Sequence, residues 1–199
     1  MFDIQKMKKI FRKESRFNRE AILFKSVYVL SHLPSEMLKL PTSPLKVALQ
    51  FVDANVMSSP GPNINDGTGY TPLHWLAEMI DPSKEHTLEN QRILAKQLIE
   101  AGANVNAPAQ RCLYKSTPLH YACWTGHCTN LDLIELLLDH GANPNAKNSE
   151  GMTPLHYTVP GAPGAAKFVL TYSEKTDPDI IINDGRSFLA MVRSGIEQF

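Results

Sequence analysis

The chain has 199 residues, 43% apolar and 20% charged, and its 20 basic and 20 acidic side chains cancel. That balance is ordinary for a globular protein with a real core to bury. No apolar run approaches the roughly 20 residues that cross a bilayer, and Cys112, Cys123 and Cys128 have no framework spacing. Membrane-spanning and disulfide-stapled classes are therefore set aside, and a reducing cytoplasmic setting, or a nuclear one, is expected.

Charge is unevenly placed. Residues 1–25 carry eight basic against three acidic side chains, about +5, which leaves about −5 for the rest. Read as a helix, "DIQKMKKIFRKESRF" gathers Ile4, Met7, Ile10, Phe11 and Phe17 loosely on one side and its cations on the other. A capping helix packed against the rest of the chain explains this pattern. So does a helix that lies on an anionic membrane through Lys6, Lys8, Lys9, Arg12 and Lys13, or one that enters a partner's groove. The cap is the preferred reading, and nucleic acid is not expected as a partner. "NREAILFKSVYVLSHL" predicts a second helix. "TSPLKVALQFVDANVMSSP" predicts a third, with Pro44 at its first position and Leu45, Leu49 and Val52 on one face.

From Gly61 onward two phrases alternate. "TPLH" opens at Thr71, Thr117 and Thr153, in steps of 46 and 36 residues, and a weaker "SFLA" follows 34 residues later at Ser187. Between them stand "GPNIN" at Gly61, "GANVN" at Gly102, "GANPN" at Gly141 and a degraded "DPDII" at Asp177, in steps of 41, 39 and 36. Two phrases in fixed order at such a period indicate stacked supersecondary units.

Each phrase has a mechanical reason. Threonine suits an N-cap, its hydroxyl accepting from a backbone N–H of the first turn, and proline fits the next position, where its missing N–H costs nothing. The histidine stands where a polar side chain can reach back to the cap residue. Thr71 with His74, Thr117 with His120, and Thr153 with His156 are therefore read as structural helix caps. The glycines of "LAKQLIEAGANVN" and "IELLLDHGANPN" end helices in a left-handed residue. Asn104, Asn106, Asn143 and Asn145 then suit tight turns that bond the local backbone.

The sequence G-x-T-P-L-H-x-A, a leucine-rich helix and G-A-x-x-N resembles the ankyrin repeat. "STPLHYACWTGHCTNLDLIELLLDHGANPNAKNSEGMTPLH" is the best stretch. The resemblance implies an all-α ankyrin-type helical solenoid with an N-terminal helical cap. Residues 1–41 form the basic segment, and the stack of 42–199 divides into 42–65 (degenerate), 66–106, 107–145, 146–182 and 183–199 (partial).

There are departures. From His74 to Gly102 is 28 residues, so "MIDPSKEHTLENQ" is an extra loop between the two helices. "APAQRCLYKS" is a long turn. "VPGAPGAA" replaces a small-residue helix end, so the first helix of that repeat should be short. At the far end Phe188, Leu189, Met191, Val192, Ile196 and Phe199 are poorly covered, which suits either a fragment or an edge that meets a partner.

No catalytic set emerges. The three histidines occupy one structural position in successive units about 10 Å apart, the usual distance between packed helices, and share no pocket. His120, Cys123, His127, Cys128 and Cys112 lie close in sequence but fit no common zinc spacing. "GAPGAAKF" lacks the spacing of a phosphate loop, and no hydrolase signature is present. No enzyme activity, cofactor or metal is expected.

The expected function is a protein-binding module, an adaptor or recognition subunit, with a membrane-associated regulator acting through the basic N-terminus as the alternative. The resemblance places partner contacts on turn tips and on the exposed side of each first helix: Tyr70, Glu78, Met79, Tyr114, Ser116, Trp124, Thr125, Met152 and Arg186. Thr68, Leu113, Glu150 and Asp184 are further tip positions. Trp75, Tyr121 and Tyr157, each directly after a histidine, are expected to pack between repeats.

Overall fold

The computed structural model describes residues 4–13, 23, 27, 30, 32–40, 43–50, 52, 54, 69–78, 87–109, 114–124, 130–158, 163–172 and 174–196. Among these residues every regular element is helical, and extended pairing is confined to one bridge between Ile181 and Ser187. The all-α architecture expected from the repeated caps is thus what the chain adopts. It groups into two compact units, Met1–Asn104 and Val105–Phe199.

The first unit contains α1 (Ile4–Lys13), α2 (Ser35–Lys39), α3 (Pro44–Ala48), α4 (Pro72–Glu78) and α5 (Thr87–Glu100). Leu23, Val27 and Leu30 are also helical and buried, with the spacing of one helix face. Helix α1 lies against α3, while α5 packs on α2, α3 and α4. Pro44 occupies the first position of α3, and the Ser43 hydroxyl accepts from the Lys46 N–H at 3.4 Å. This helix stops at Ala48, short of the expected reach to Val52, although Val52 is still buried. The insertion after α4 also departs from the expectation of a simple loop. Its last five residues, 87–91, are the first turns of α5, because Asn90 and Gln91 are buried there. Residues 79–86 lie outside the described set.

Polar side chains on α5 bind the preceding segment to it. Asn90 Nδ2 donates to the Leu33 carbonyl at 2.6 Å. Two turns along the same face, Gln97 Nε2 donates to the Leu38 carbonyl at 2.6 Å, and the Ser43 hydroxyl donates to Gln97 Oε1 at 2.9 Å. Helix α5 ends as the sequence predicts: Gly102 adopts φ +91°, its N–H bonds Ile99 O at 2.9 Å, and the Ala103 N–H bonds Leu98 O at 3.0 Å. These two bonds satisfy carbonyls the helix end would otherwise leave open.

The second unit contains α6 (Pro118–Trp124), α7 (Leu131–Asp139), a 3-10 turn (His156–Thr158), α8 (Pro163–Tyr172) and α9 (Phe188–Ile196). Helix α6 packs on α7 and on the 3-10 turn, and α8 packs on α7. The shortened first helix expected before "VPGAPGAA" is the three-residue 3-10 turn. Helix α7 repeats the glycine ending, with Gly141 at φ +84° and Ala142 N–H bonded to Leu137 O at 2.9 Å.

The asparagines after these glycines divide the work in a way the sequence does not announce. Asn143 acts locally, its Oδ1 accepting from the Asn145 N–H at 2.9 Å. Asn106 and Asn145 reach instead to the next repeat. Asn106 donates to Gly141 O at 2.9 Å and accepts from the Asn143 N–H at 2.8 Å. Asn145 likewise donates to Lys175 O at 2.6 Å and accepts from the Asp177 N–H at 2.9 Å. A side-chain amide can do both at once because it carries a donor and an acceptor.

Candidate functional site

The helix starts share one geometry. In all three copies the histidine Nδ1 lies 2.7–2.8 Å from the threonine hydroxyl and 3.1–3.2 Å from the N–H of the same threonine. The backbone N–H donates, so Nδ1 must be the unprotonated acceptor, and the ring is neutral with its proton on Nε2. At His120 that Nε2 donates to the Met152 carbonyl at 3.0 Å. One part of the expected cap differs: the N–H of each histidine bonds the threonine carbonyl at 3.0 Å. The first turn closes on the carbonyl, which leaves the hydroxyl free to meet the ring.

Burial keeps the His120 and His156 rings neutral. The His120 pKa is lowered to about 4, chiefly by desolvation, and that of His156 is lowered for the same first reason. Cys123 is buried, and its thiol is pushed up to about 12, the behaviour of a small apolar side chain rather than a nucleophile. Among the described residues no three His, Cys, Asp or Glu side chains gather as metal ligands. Cys112, His127 and Cys128 lie outside them.

Before each helix start in the second unit stands a hairpin tip. The tips are closed by Ala109 N–H to Ser116 O at 2.9 Å, Asn148 N–H to Met152 O at 3.0 Å, and Ile182 N–H to Arg186 O at 2.9 Å. Neighbouring tips are joined through equivalent atoms, Ser149 N–H to Tyr114 O at 2.7 Å and Asn183 N–H to Glu150 O at 2.9 Å. The result is a hydrogen-bonded row with side chains projecting from it.

Tyr114, 43% exposed, and Trp124, 52% exposed, are the large side chains of the expected contact set that stand in solvent. Glu78, Glu150, Asp184 and Arg186 are also exposed, and Met152 is half-buried. Arg186 is engaged with Asp184, its Nε 2.7 Å from Oδ2, and the guanidinium holds that carboxyl below its usual range. Two members of the expected set are corrected. Tyr70 is only 6% exposed and stacks on His74 at 5.5 Å, and Ser116 is fully buried with its hydroxyl 2.8 Å from that of Tyr157. Neither side chain faces solvent. Met79, Thr125, Thr68 and Leu113 lie outside the described residues. Of the aromatics expected between repeats, Tyr121 is buried, Trp75 is half-buried, and Tyr157 sets its ring edge-on to His120 at 5.1 Å.

Sequence reasoning missed Lys115. Two residues before each helix-starting hydroxyl stands Gly69, Lys115, Gly151 or Gly185, at φ +66°, +49°, +77° and +87°. Of these four, Lys115 is the one L side chain in the left-handed slot, where its Cβ crowds the following carbonyl. At Gly151 a Cβ would come within 2.6 Å of Asn183 Oδ1 and 3.0 Å of the Asn183 backbone N, so a side chain there would force the neighbouring tip to shift. Aligning the four hydroxyl residues and reading two places back would have exposed the exception. Lys115→Gly is expected to raise stability by up to about 1 kcal/mol, the relieved strain exceeding the extra backbone freedom of glycine. A urea midpoint at or below that of the parent would contradict this.

Comparison with known proteins agrees with the geometry. A family model described as Ankyrin repeats (3 copies) matches residues 45–148 and 86–184. An ankyrin repeat protein of fowlpox virus is 42% identical over 78 residues, 38% of this chain and 14% of the viral protein. A Caenorhabditis elegans homolog of the transient receptor potential cation channel subfamily A member 1 is 40% identical over 85 residues, 43% of this chain and 6% of its own. Mouse ankyrin repeat and SOCS box protein 16 is 48% identical over 61 residues, 31% of this chain and 12% of its own. The chain therefore matches only a small part of each relative's length. The matched repeats, the capped helix starts and the all-α fold agree: the chain belongs to the ankyrin repeat family of helical solenoids, whose repeats generally serve as protein–protein interaction modules.

Proposed function

We propose that the chain is a non-catalytic adaptor or recognition subunit that holds a protein partner through tips and first-helix ends, with Tyr114 and Trp124 as anchors. The observation that carries this reading is Trp124, which closes α6 yet keeps half its surface in water while its neighbours Tyr121, Ala122 and Cys123 are buried. Folding gains little from such a ring, and an exposed tryptophan has the chemistry of an interface hot spot. Lys115, Glu150, Met152 and Arg186 of the second unit add polar and apolar contacts to this surface, and Glu78 offers one on the first unit. A reducing cytoplasmic or nuclear setting belongs to the same reading, because the three cysteines have no framework spacing.

Trp124→Ala is expected to weaken the partner by about 2 kcal/mol or more, some thirtyfold in Kd, with little change in melting temperature. Calorimetric titration with a partner captured by the intact chain, beside a thermal melt of both proteins, reads the two effects separately. A large fall in melting temperature with unchanged affinity would assign the ring to the core.

A further inference from the structure

The cations of α1 remain outside the protein-binding surface. Helix α1 has no acidic residue among its ten, and it ends on Arg12 and Lys13. Gln5, Lys9, Arg12 and Lys13 are exposed and Lys8 is half-buried, so the outward residues share one side of the helix. The helix lies against α3. Elsewhere in the first unit Lys39 pairs with Glu89 at 2.8 Å and Lys46 with Glu100 at 4.0 Å. The outward row of α1 is left as a concentrated positive strip.

We propose that this strip, Lys8, Lys9, Arg12 and Lys13, docks the chain on an anionic lipid surface by charge alone, without inserting α1 into the bilayer. Insertion would need α1 to be free to lie in the bilayer surface with its apolar side exposed, and α1 is packed against α3. A flat anionic surface asks for less. Only charges within a Debye length of about 8 Å are felt, so a strip on one helix face suffices although the rest of the chain is negative. A nucleic acid duplex fits worse: a helix that reads a groove about 8.5 Å deep must stand clear of its own body, and α1 lies along α3. Among the described residues no helix is long and apolar enough to cross a membrane, so any contact is peripheral.

The test is co-sedimentation of the full chain with phosphatidylcholine vesicles that contain or lack phosphatidylserine. Binding is expected only with phosphatidylserine and should fall steeply with added salt. The triple variant Lys9→Glu, Arg12→Glu, Lys13→Glu should bind about 100-fold more weakly, with an unchanged circular dichroism spectrum and melting temperature. A control with the same net charge, Arg92→Glu, Lys96→Glu, Lys167→Glu, should still bind; equal loss in both variants would show that net charge acts, not this strip. Equal binding to vesicles without phosphatidylserine would show insertion and overturn the proposal, as would no binding at all. If duplex DNA at matched phosphate concentration strips the protein from the vesicles, the strip belongs to nucleic acid and the lipid assignment fails. None of these outcomes bears on partner binding at Trp124.

Discussion

Lowering the pH from 7 to 5 will cost the fold about 2 kcal/mol through His120 alone, rising to about 3 kcal/mol below pH 4. An imidazole in the unfolded chain takes up a proton near pH 6.5, whereas the folded His120 accepts one only at about 4. Between those values the unfolded state holds more protons, so acid favours unfolding. The stabilisation is complete above about pH 6.5 and disappears as the pH falls toward 4. His156, lowered in the same direction, adds to the loss. Geometry explains why the folded site resists protonation: a proton on Nδ1 would face the Thr117 N–H, which needs an acceptor there. Exposed Asp184 titrates below this window, and as a surface pair it contributes little. Urea denaturation at several pH values measures the slope, and His120→Gln, which cannot titrate, should flatten it by the His120 share. Equal slopes for parent and variant would refute the assignment. Hydrogen exchange adds a local reading, since the Thr117 amide should lose protection first.

Much of this architecture is legible in the sequence because it is repeated there. Thr71, Thr117 and Thr153 each announce a helix start, and Gly102 and Gly141 each announce a helix stop. One residue type at one register three times over is hard to mistake, since a stack reuses whatever its joints require. The 3-10 turn at His156–Thr158 is foreshadowed too, because "VPGAPGAA" cannot continue a regular first helix. Legibility fails where partners come from far along the chain. Asn145 looks like a turn residue until its amide is seen joining Lys175 and Asp177. Ser116 looks like a surface serine until Tyr157 arrives from the next repeat. The contact surface is legible only in part for the same reason. Two tip tyrosines differ in fate: Tyr114, three residues before Thr117, stands in solvent, whereas Tyr70, one before Thr71, packs against His74, and neither side chain by itself announces its surroundings.

The same limit hides a buried polar tie in the first unit. Gln97→Ala is expected to destabilise the chain by about 3 kcal/mol, more than is typical of a substitution at a helical glutamine. Gln97 is nearly buried, on a helix whose exposed side carries Arg92, Lys96 and Glu100. Truncation removes the donor to Leu38 O and the acceptor for the Ser43 hydroxyl together, and Ser43 is fully buried. Each buried group left without its partner costs about 1–3 kcal/mol, and the lost methylenes add to that. Gln97→Glu separates hydrogen bonding from packing, because it keeps the shape but offers Leu38 O a donor only when protonated. Burial and the facing carbonyl raise the folded-state pKa of such a carboxyl, so its deficit relative to the parent should be largest at neutral pH and shrink as the pH falls toward 4. That trend is opposite in sign to the acid loss at His120, and the two are read from different units of the same protein. If Gln97→Ala shifts the urea midpoint no more than the exposed Lys96→Ala, the Ser43–Gln97–Leu38 chain of bonds does not hold the N-terminal segment to α5, and apolar packing alone must do so.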